Sequence, residues 1–233
     1  GEGVEILSPV YITKELPTTN TPIINAANIT MTGASSISGG VWPYDLTINN
    51  NMVLQQSQVI SGNLYVTGSL DLNAHNLTVS GDLLLSAGTL DLNTGMLNAA
   101  NMLKQTGGSL LINGGSLVAQ QDYIHQNGWL DLGGGQLTIE GDYRGQTVAD
   151  DGQGGLTYSH GFGILKMMNP ADYMLVKGDF VMDSRYGGGD TASGSYAAYN
   201  GFQFGAGTLE LKGDFIQTSS SIDWVDQYYW QYY

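Results

Sequence analysis

Residues 68–146 read GSLDLNAHNLTVSGDLLLSA (68–87), GTLDLNTGMLNAANMLKQTG (88–107), GSLLINGGSLVAQQDYIHQN (108–127) and GWLDLGGGQLTIEGDYRGQ (128–146). These are four copies of one 20-residue unit, the last one residue short. Each opens with glycine: Gly68, Gly88, Gly108 and Gly128. The third residue is Leu70, Leu90, Leu110 or Leu130, and the fifth is Leu72, Leu92, Ile112 or Leu132. The tenth is Leu77, Leu97, Leu117 or Leu137, and the twelfth is Val79, Ala99, Ala119 or Ile139. A constant period with constant apolar columns marks a solenoid, in which each repeat contacts its neighbours.

Inside a unit the apolar spacing is two. Leu70-Asp71-Leu72, Leu77-Thr78-Val79 and Leu83-Leu84-Leu85 are short runs whose alternate residues share one side, and no helical stripe competes with them. Turn-forming residues separate the runs: Asn73-Ala74-His75-Asn76, Ser80-Gly81 and Ser86-Ala87-Gly88. One unit is therefore three strands and three corners, closing one coil. A single coil cannot bury its leucines, whereas stacked coils can. The predicted fold is all-β, a parallel β-helix (β-solenoid) with a right-handed coil, in about seven coils of roughly 20 residues. The sixth position, Asn73, Asn93, Asn113 and then Gly133, suits either a ladder of stacked amides or simply a turn.

Working outward, Gly62-Asn63-Leu64-Tyr65-Val66 matches Gly81 to Leu85 at an offset of 19 and adds a coil before Gly68. After the array, Met174 to Met182 repeats Leu77 to Leu85, and Leu209 to Gln217 repeats it again. Gly-Asp followed by an apolar residue recurs at 81, 141, 178 and 213; a glycine at positive φ with an aspartate capping its turn is expected there. The chain divides into an N-terminal cap and irregular first coil (1–45), a solenoid (46–217) and an aromatic C-terminal tail (218–233). Two insertions, 147–162 and 183–199, leave the solenoid after the third run and so emerge at one corner.

Composition narrows the function. Seven Lys and Arg stand against 21 Asp and Glu, a net charge of -14, which argues against nucleic-acid binding. Without cysteine there is no disulfide, thiolate nucleophile or cysteine-bound zinc. No apolar run approaches membrane-spanning length. His75, His125 and His160 form no zinc motif, and neither a GxSxG, a P-loop nor a dinucleotide fingerprint is present. Asp71, Asp91 and Asp131 share the fourth position and read as a solvated outer face. No acid–base cluster of the kind a polysaccharide lyase needs stands on adjacent coils, so no catalytic residue is expected.

The insertions mark the functional edge, because irregular segments on a rigid scaffold are where binding residues concentrate. Tyr158, His160, Phe162, Tyr186, Tyr196 and Tyr199 form a candidate ligand edge suited to a polysaccharide or a protein partner. Asp150, Asp151, Asp183 and Asp190 are candidate Ca2+ ligands. In the tail, Trp224, Tyr228, Tyr229, Trp230, Tyr232 and Tyr233 are candidate self-assembly contacts, since so many aromatics in water would be an exposed apolar surface.

The array from Gly108 to Gln146 resembles the β-helical repeats of large bacterial surface proteins, including filamentous haemagglutinin-like adhesins. The stretch GILKMMNPADYMLVKGDFVMDS (163–184), with GTLELKGDFIQ (207–217), is similar to repeat regions of long secreted proteins of Gram-positive bacteria. The resemblance implies an extracellular, cell-surface, non-enzymatic structural or adhesive role, with homo-oligomers or filaments as the assembled form. A carbohydrate-binding module is the alternative, followed by a polysaccharide lyase-like enzyme.

Overall fold

In the computed structural model, residues 4–6, 11–12, 28–31, 35–37, 40–42, 45–183 and 202–218 are described. They form three sheets, each built by stacking one strand per coil. The chain is a parallel β-solenoid. Among the described residues every pairing between successive coils is parallel, and the one antiparallel pair, Tyr143–Asp150 with Leu156–His160, lies in the first insertion.

Strands of the first sheet that open a coil begin at Asp45, Leu64, Leu83, Leu103, Tyr123, Tyr143 and Phe180, which makes seven coils from Asp45 to Leu211. Upstream, Asn28–Met31, Ser35–Ile37 and Gly40–Trp42 enter the same three sheets in the same order, and Val4–Ile6 and Tyr11–Ile12 begin the first two. Within the array the register is that of the repeat: Leu70 pairs with Leu90, Leu77 with Leu97, and Leu83 with Leu103. These side chains are fully buried and form one continuous core inside the coil. Side chains alternating with them face water, because a strand's period of two sends neighbours to opposite faces.

Each corner has its own chemistry. Between the second and third sheets, Asn73 and Ala74 both have positive φ (49° and 62°), as do Asn93 and Thr94 (43° and 65°). The His75 N–H closes the turn on the Leu72 carbonyl at 2.8 Å. Two left-handed residues in succession make a type I′ turn, which favours Asn and Gly; hence Asn113-Gly114 and Gly133-Gly134 in the following coils. The amides of Asn93 and Asn113 do not stack on one another. Each donates to the carboxylate one coil back, Asn93 to Asp71 at 3.3 Å and Asn113 to Asp91 at 2.9 Å. The stacked aspartates are thus bridged by amides, and Asp131 is bridged by the Lys166 ammonium at 2.7 Å.

The corner carrying Gly-Asp differs from expectation. Gly81, Gly141, Gly178 and Gly213 are not among the positive-φ glycines. Their need is space: a Cβ on Gly81 would meet the Asn63 carboxamide oxygen, and one on Gly141 or Gly178 would meet Asp122 or Asp142 Oδ1. Nor does the aspartate cap its own turn. Asp45, Asn63, Asp82, Asp122, Asp142, Asp179 and Asp214 occupy one column with Met102, and their side chains link coil to coil. Oδ1 of Asp45, Asn63, Asp122, Asp142 and Asp179 accepts the backbone N–H of the next column residue at 2.7–2.9 Å.

Candidate functional site

The first insertion is a β-hairpin. Strand Tyr143–Asp150 runs out of the first sheet and returns as Leu156–His160, with Val148 opposite Tyr158 and Gln146 opposite His160. Its tip is shaped by acids. Asp150 Oδ1 accepts the Gly152 N–H at 2.7 Å, and Asp151 Oδ1 accepts those of Gln153 and Gly155, both at 2.8 Å. These donors hold the Asp151 carboxyl below the usual carboxylate range.

The hairpin lies back over the outer face of the first sheet. The Lys104 ammonium reaches the Val148 carbonyl at 3.4 Å, although Lys104 belongs to the coil two below. The Arg144 guanidinium, paired with Asp142 at 2.6 Å, sits 5.1 Å from the centre of the Tyr158 ring. Ile124 and Val181 occupy outward positions of that sheet yet are only 8% and 5% exposed. Tyr158 is therefore in part a packing residue, held by a cation over its ring, while 46% of it remains exposed.

Phe162 begins the second-sheet strand Phe162–Met167 and so belongs to the coil, not to the insertion. Its ring meets that of His160 edge to face at 5.1 Å. Asn127 pairs with Phe162, and Trp129 with Ile164, so Trp129 is the next outward residue along the strand beside Phe162. Trp129 is 43% exposed and Phe162 48%. His160, Phe162 and Trp129 thus form an aromatic strip along the corner where the hairpin leaves. Trp129 was not singled out by reasoning on motifs, though the repeat carries its signal: the same column holds Ser69, Thr89 and Ser109. Tyr186, Tyr196 and Tyr199 lie outside the described residues.

The candidate Ca2+ ligands are not gathered into one cluster among the described residues. Asp183 is buried at the hairpin base, within 3.4 Å of Gln146 Nε2, and its carbonyl accepts the Gly161 N–H. Asp150 lies four residues farther along the strand than Gln146, a separation of about 13 Å at strand rise. Asp190 lies outside the described residues. No group of three or more His, Asp or Glu suited to a metal ion occurs among the described residues. The tail residues Trp224, Tyr228, Tyr229, Trp230, Tyr232 and Tyr233 also lie outside them.

Four cations on the outer faces form separate ion pairs. Besides Arg144–Asp142 and Lys166–Asp131, Lys177 binds Glu140 at 2.7 Å and Lys212 binds Glu210 at 2.5 Å. Glu210 also accepts the Tyr173 hydroxyl at 2.7 Å. The bond from Lys212, then that from Tyr173, lowers the Glu210 carboxyl, while the bond to Glu210 raises the Lys212 ammonium.

Inside the coil is a chain of polar groups. The Tyr123 hydroxyl donates to Gln105 Oε1 at 2.5 Å, and the Gln105 amide donates to the carbonyls of Gly108 and Trp129. His125 lies between the Tyr143 hydroxyl and the Gly128 carbonyl, at 2.8 and 3.1 Å. Because a carbonyl only accepts, Nε2 carries the proton and Nδ1 accepts from Tyr143, a neutral imidazole. Burial pulls its pKa down to about 4, and burial pushes both tyrosine hydroxyls well above their usual range. Every member has a partner and none reaches solvent, so the chain is structural. The apolar gap lined by Leu46, Met52, Leu54 and Leu70 has room for about one water molecule.

No protein-family model, curated protein or solved structure matches the chain. Its class rests on the stacked parallel sheets. Among the described residues no helix is long and apolar enough to cross a membrane.

Proposed function

We propose that this chain is a non-enzymatic structural or adhesive element of an extracellular bacterial surface, and that its copies join end to end. The observation that carries this reading is the last described coil. Among the described residues, Phe202–Phe204, Thr208–Leu211 and Phe215–Thr218 are the last strands of the three sheets. Phe204 and Phe215 stand in core columns, opposite the buried Met167 and Phe180, yet both are about half exposed. The Phe215 ring continues the stack of Tyr143 and Phe180, with centroids 4.8 and 5.4 Å apart. Core columns that carry half-exposed aromatics at the last described coil offer a surface that a further coil would bury.

The sequence beyond Thr218 supports the same reading, with six aromatics among its last ten residues, the residue types favoured as interface anchors. A head-to-tail contact does not close on itself and yields a filament. The resemblance to haemagglutinin-like repeats favours adhesion and surface display, and the charge of -14 disfavours a polyanionic partner.

Electron microscopy and sedimentation of the purified chain, with and without residues 223–233, test the reading. The whole chain is expected to form fibres or larger species with rising concentration. The shortened chain is expected to stay monomeric with a nearly unchanged melting temperature. A large loss of stability in the dilute shortened monomer, with no assembly of either form, would make the tail a cap and sink the proposal.

A further inference from the structure

We propose that the strip formed by Trp129, Phe162 and His160 is a binding platform for a neutral polysaccharide chain laid along the corner of the solenoid. It is independent of end-to-end assembly.

Three observations converge. First, Trp129 breaks its column. Serine or threonine occupies this outward position in the three preceding coils and Ile164 in the next, yet none of these is aromatic, and burial does not explain the tryptophan, because its ring is 43% exposed. Second, the strip is rigid. Trp129 and Phe162 project from adjacent strands of the stacked second sheet, and Phe162 is braced by the edge-to-face contact with His160. Rigid rings bind at little entropic cost.

Third, size and charge select the occupant. Each half-exposed ring presents on the order of 100 Å², so Trp129, Phe162 and the neighbouring Tyr158 together offer roughly 300 Å². That is well short of the about 800 Å² per partner that a stable protein interface needs. It suits a ligand that touches one ring at a time. The C–H face of a pyranose is apolar and weakly positive, and it complements the negative face of an aromatic ring. The rim supplies polar groups for sugar hydroxyls: Asn127 opposite Phe162, and the Lys166–Asp131 pair beside Trp129. These charges cancel, so the site has no excess cation for a polyanion, and the surrounding chain is acidic.

Native electrophoresis through gels cast with hydroxyethylcellulose, galactomannan, glucomannan or soluble starch, with alginate as the polyanion control, provides the test. At least one neutral polymer should retard the whole chain, and alginate should not. Trp129→Ser and Phe162→Ala should each weaken the apparent affinity at least about five-fold, and Trp129→Tyr, which keeps a ring, should retain most of it. Trp129→Ser places in this coil the residue type already present one coil back at Ser109, so its melting temperature should hold. No retardation by any neutral polymer, or equal retardation of wild type and Trp129→Ser, would overturn the proposal. So would variants that alter self-association in sedimentation while leaving retardation unchanged, which would assign the strip to a protein contact.

Discussion

The imidazole of His125 lies wholly inside the solenoid, with Nδ1 2.8 Å from the hydroxyl of Tyr143 one coil away. Its ring stacks on Tyr123 at 5.7 Å and presses on Gly163, where a Cβ would come within 2.6 Å of Cδ2. No charged side chain is among these contacts. The folded protein therefore holds a neutral histidine that the unfolded chain would protonate near pH 6.5.

That difference sets an acid limit. Because the folded pKa is lowered to about 4, the unfolded state binds the proton first. Stability from this group is complete above about pH 6.5 and falls as the pH drops toward 4, by about 3 kcal/mol in all. Urea midpoints of wild type and His125→Gln, measured from pH 7 to 4.5, should converge on acidification. Glutamine is the residue of the same column one coil back, at Gln105. His75 and His160 are common to both proteins, so parallel pH profiles would show that His125 does not set the slope.

The column of aspartates has one defect. Met102 offers no side-chain acceptor to the Asp122 N–H, and the Leu103 N–H to Asp122 carbonyl bond is long at 3.3 Å. Met102→Asn should restore the ladder without adding a charge between Asp82 and Asp122. The expected gain is about 0.5–1.5 kcal/mol, read as a higher urea midpoint at constant slope.

Thr94 sits at φ 65°, in a left-handed conformation that a β-branched residue adopts at a cost. Gly114 and Gly134 hold the same place in the next two coils. Thr94→Gly should leave the fold intact and stabilise it by about 0.5–1 kcal/mol, the relieved strain outweighing glycine's added freedom in the unfolded chain. Thermal unfolding would detect it; a lower melting temperature would refute the strain argument.

Leu110 is buried in the middle of its column, between Leu90 and Leu130. Leu110→Ala should cost about 2–5 kcal/mol, because paired coils above and below cannot collapse into the cavity. An unchanged chemical-denaturation midpoint would contradict the register.

Gly178 tests the space argument at the Gly-Asp corner. A Cβ there would collide with Asp142 Oδ1 and lie 2.7 Å from the Gly141 carbonyl. Gly178→Ala should destabilise by about 1–3 kcal/mol, whereas a glycine needed only for its φ would be indifferent here.

The repeat by itself determined the coil. Strand, corner and inward column follow from period two within a unit and period 20 between units, so the columns of Leu70 and Leu77 could be placed in the core from the sequence. Stacking multiplies this local information, because each coil meets its neighbour in the same register. The tertiary structure decided what passes between coils and across corners. Asn93 could have bonded to another amide and instead found Asp71; Gly81 gives way to the Asn63 side chain; His125 and Tyr143 meet inside the core. The hairpin's lean over the first sheet and the placing of Phe162 on the strand beside Trp129 arise where the period is broken. Such contacts join residues 18 to 44 positions apart, and their partners are chosen by side-chain reach and close packing in three dimensions, to which no local pattern points.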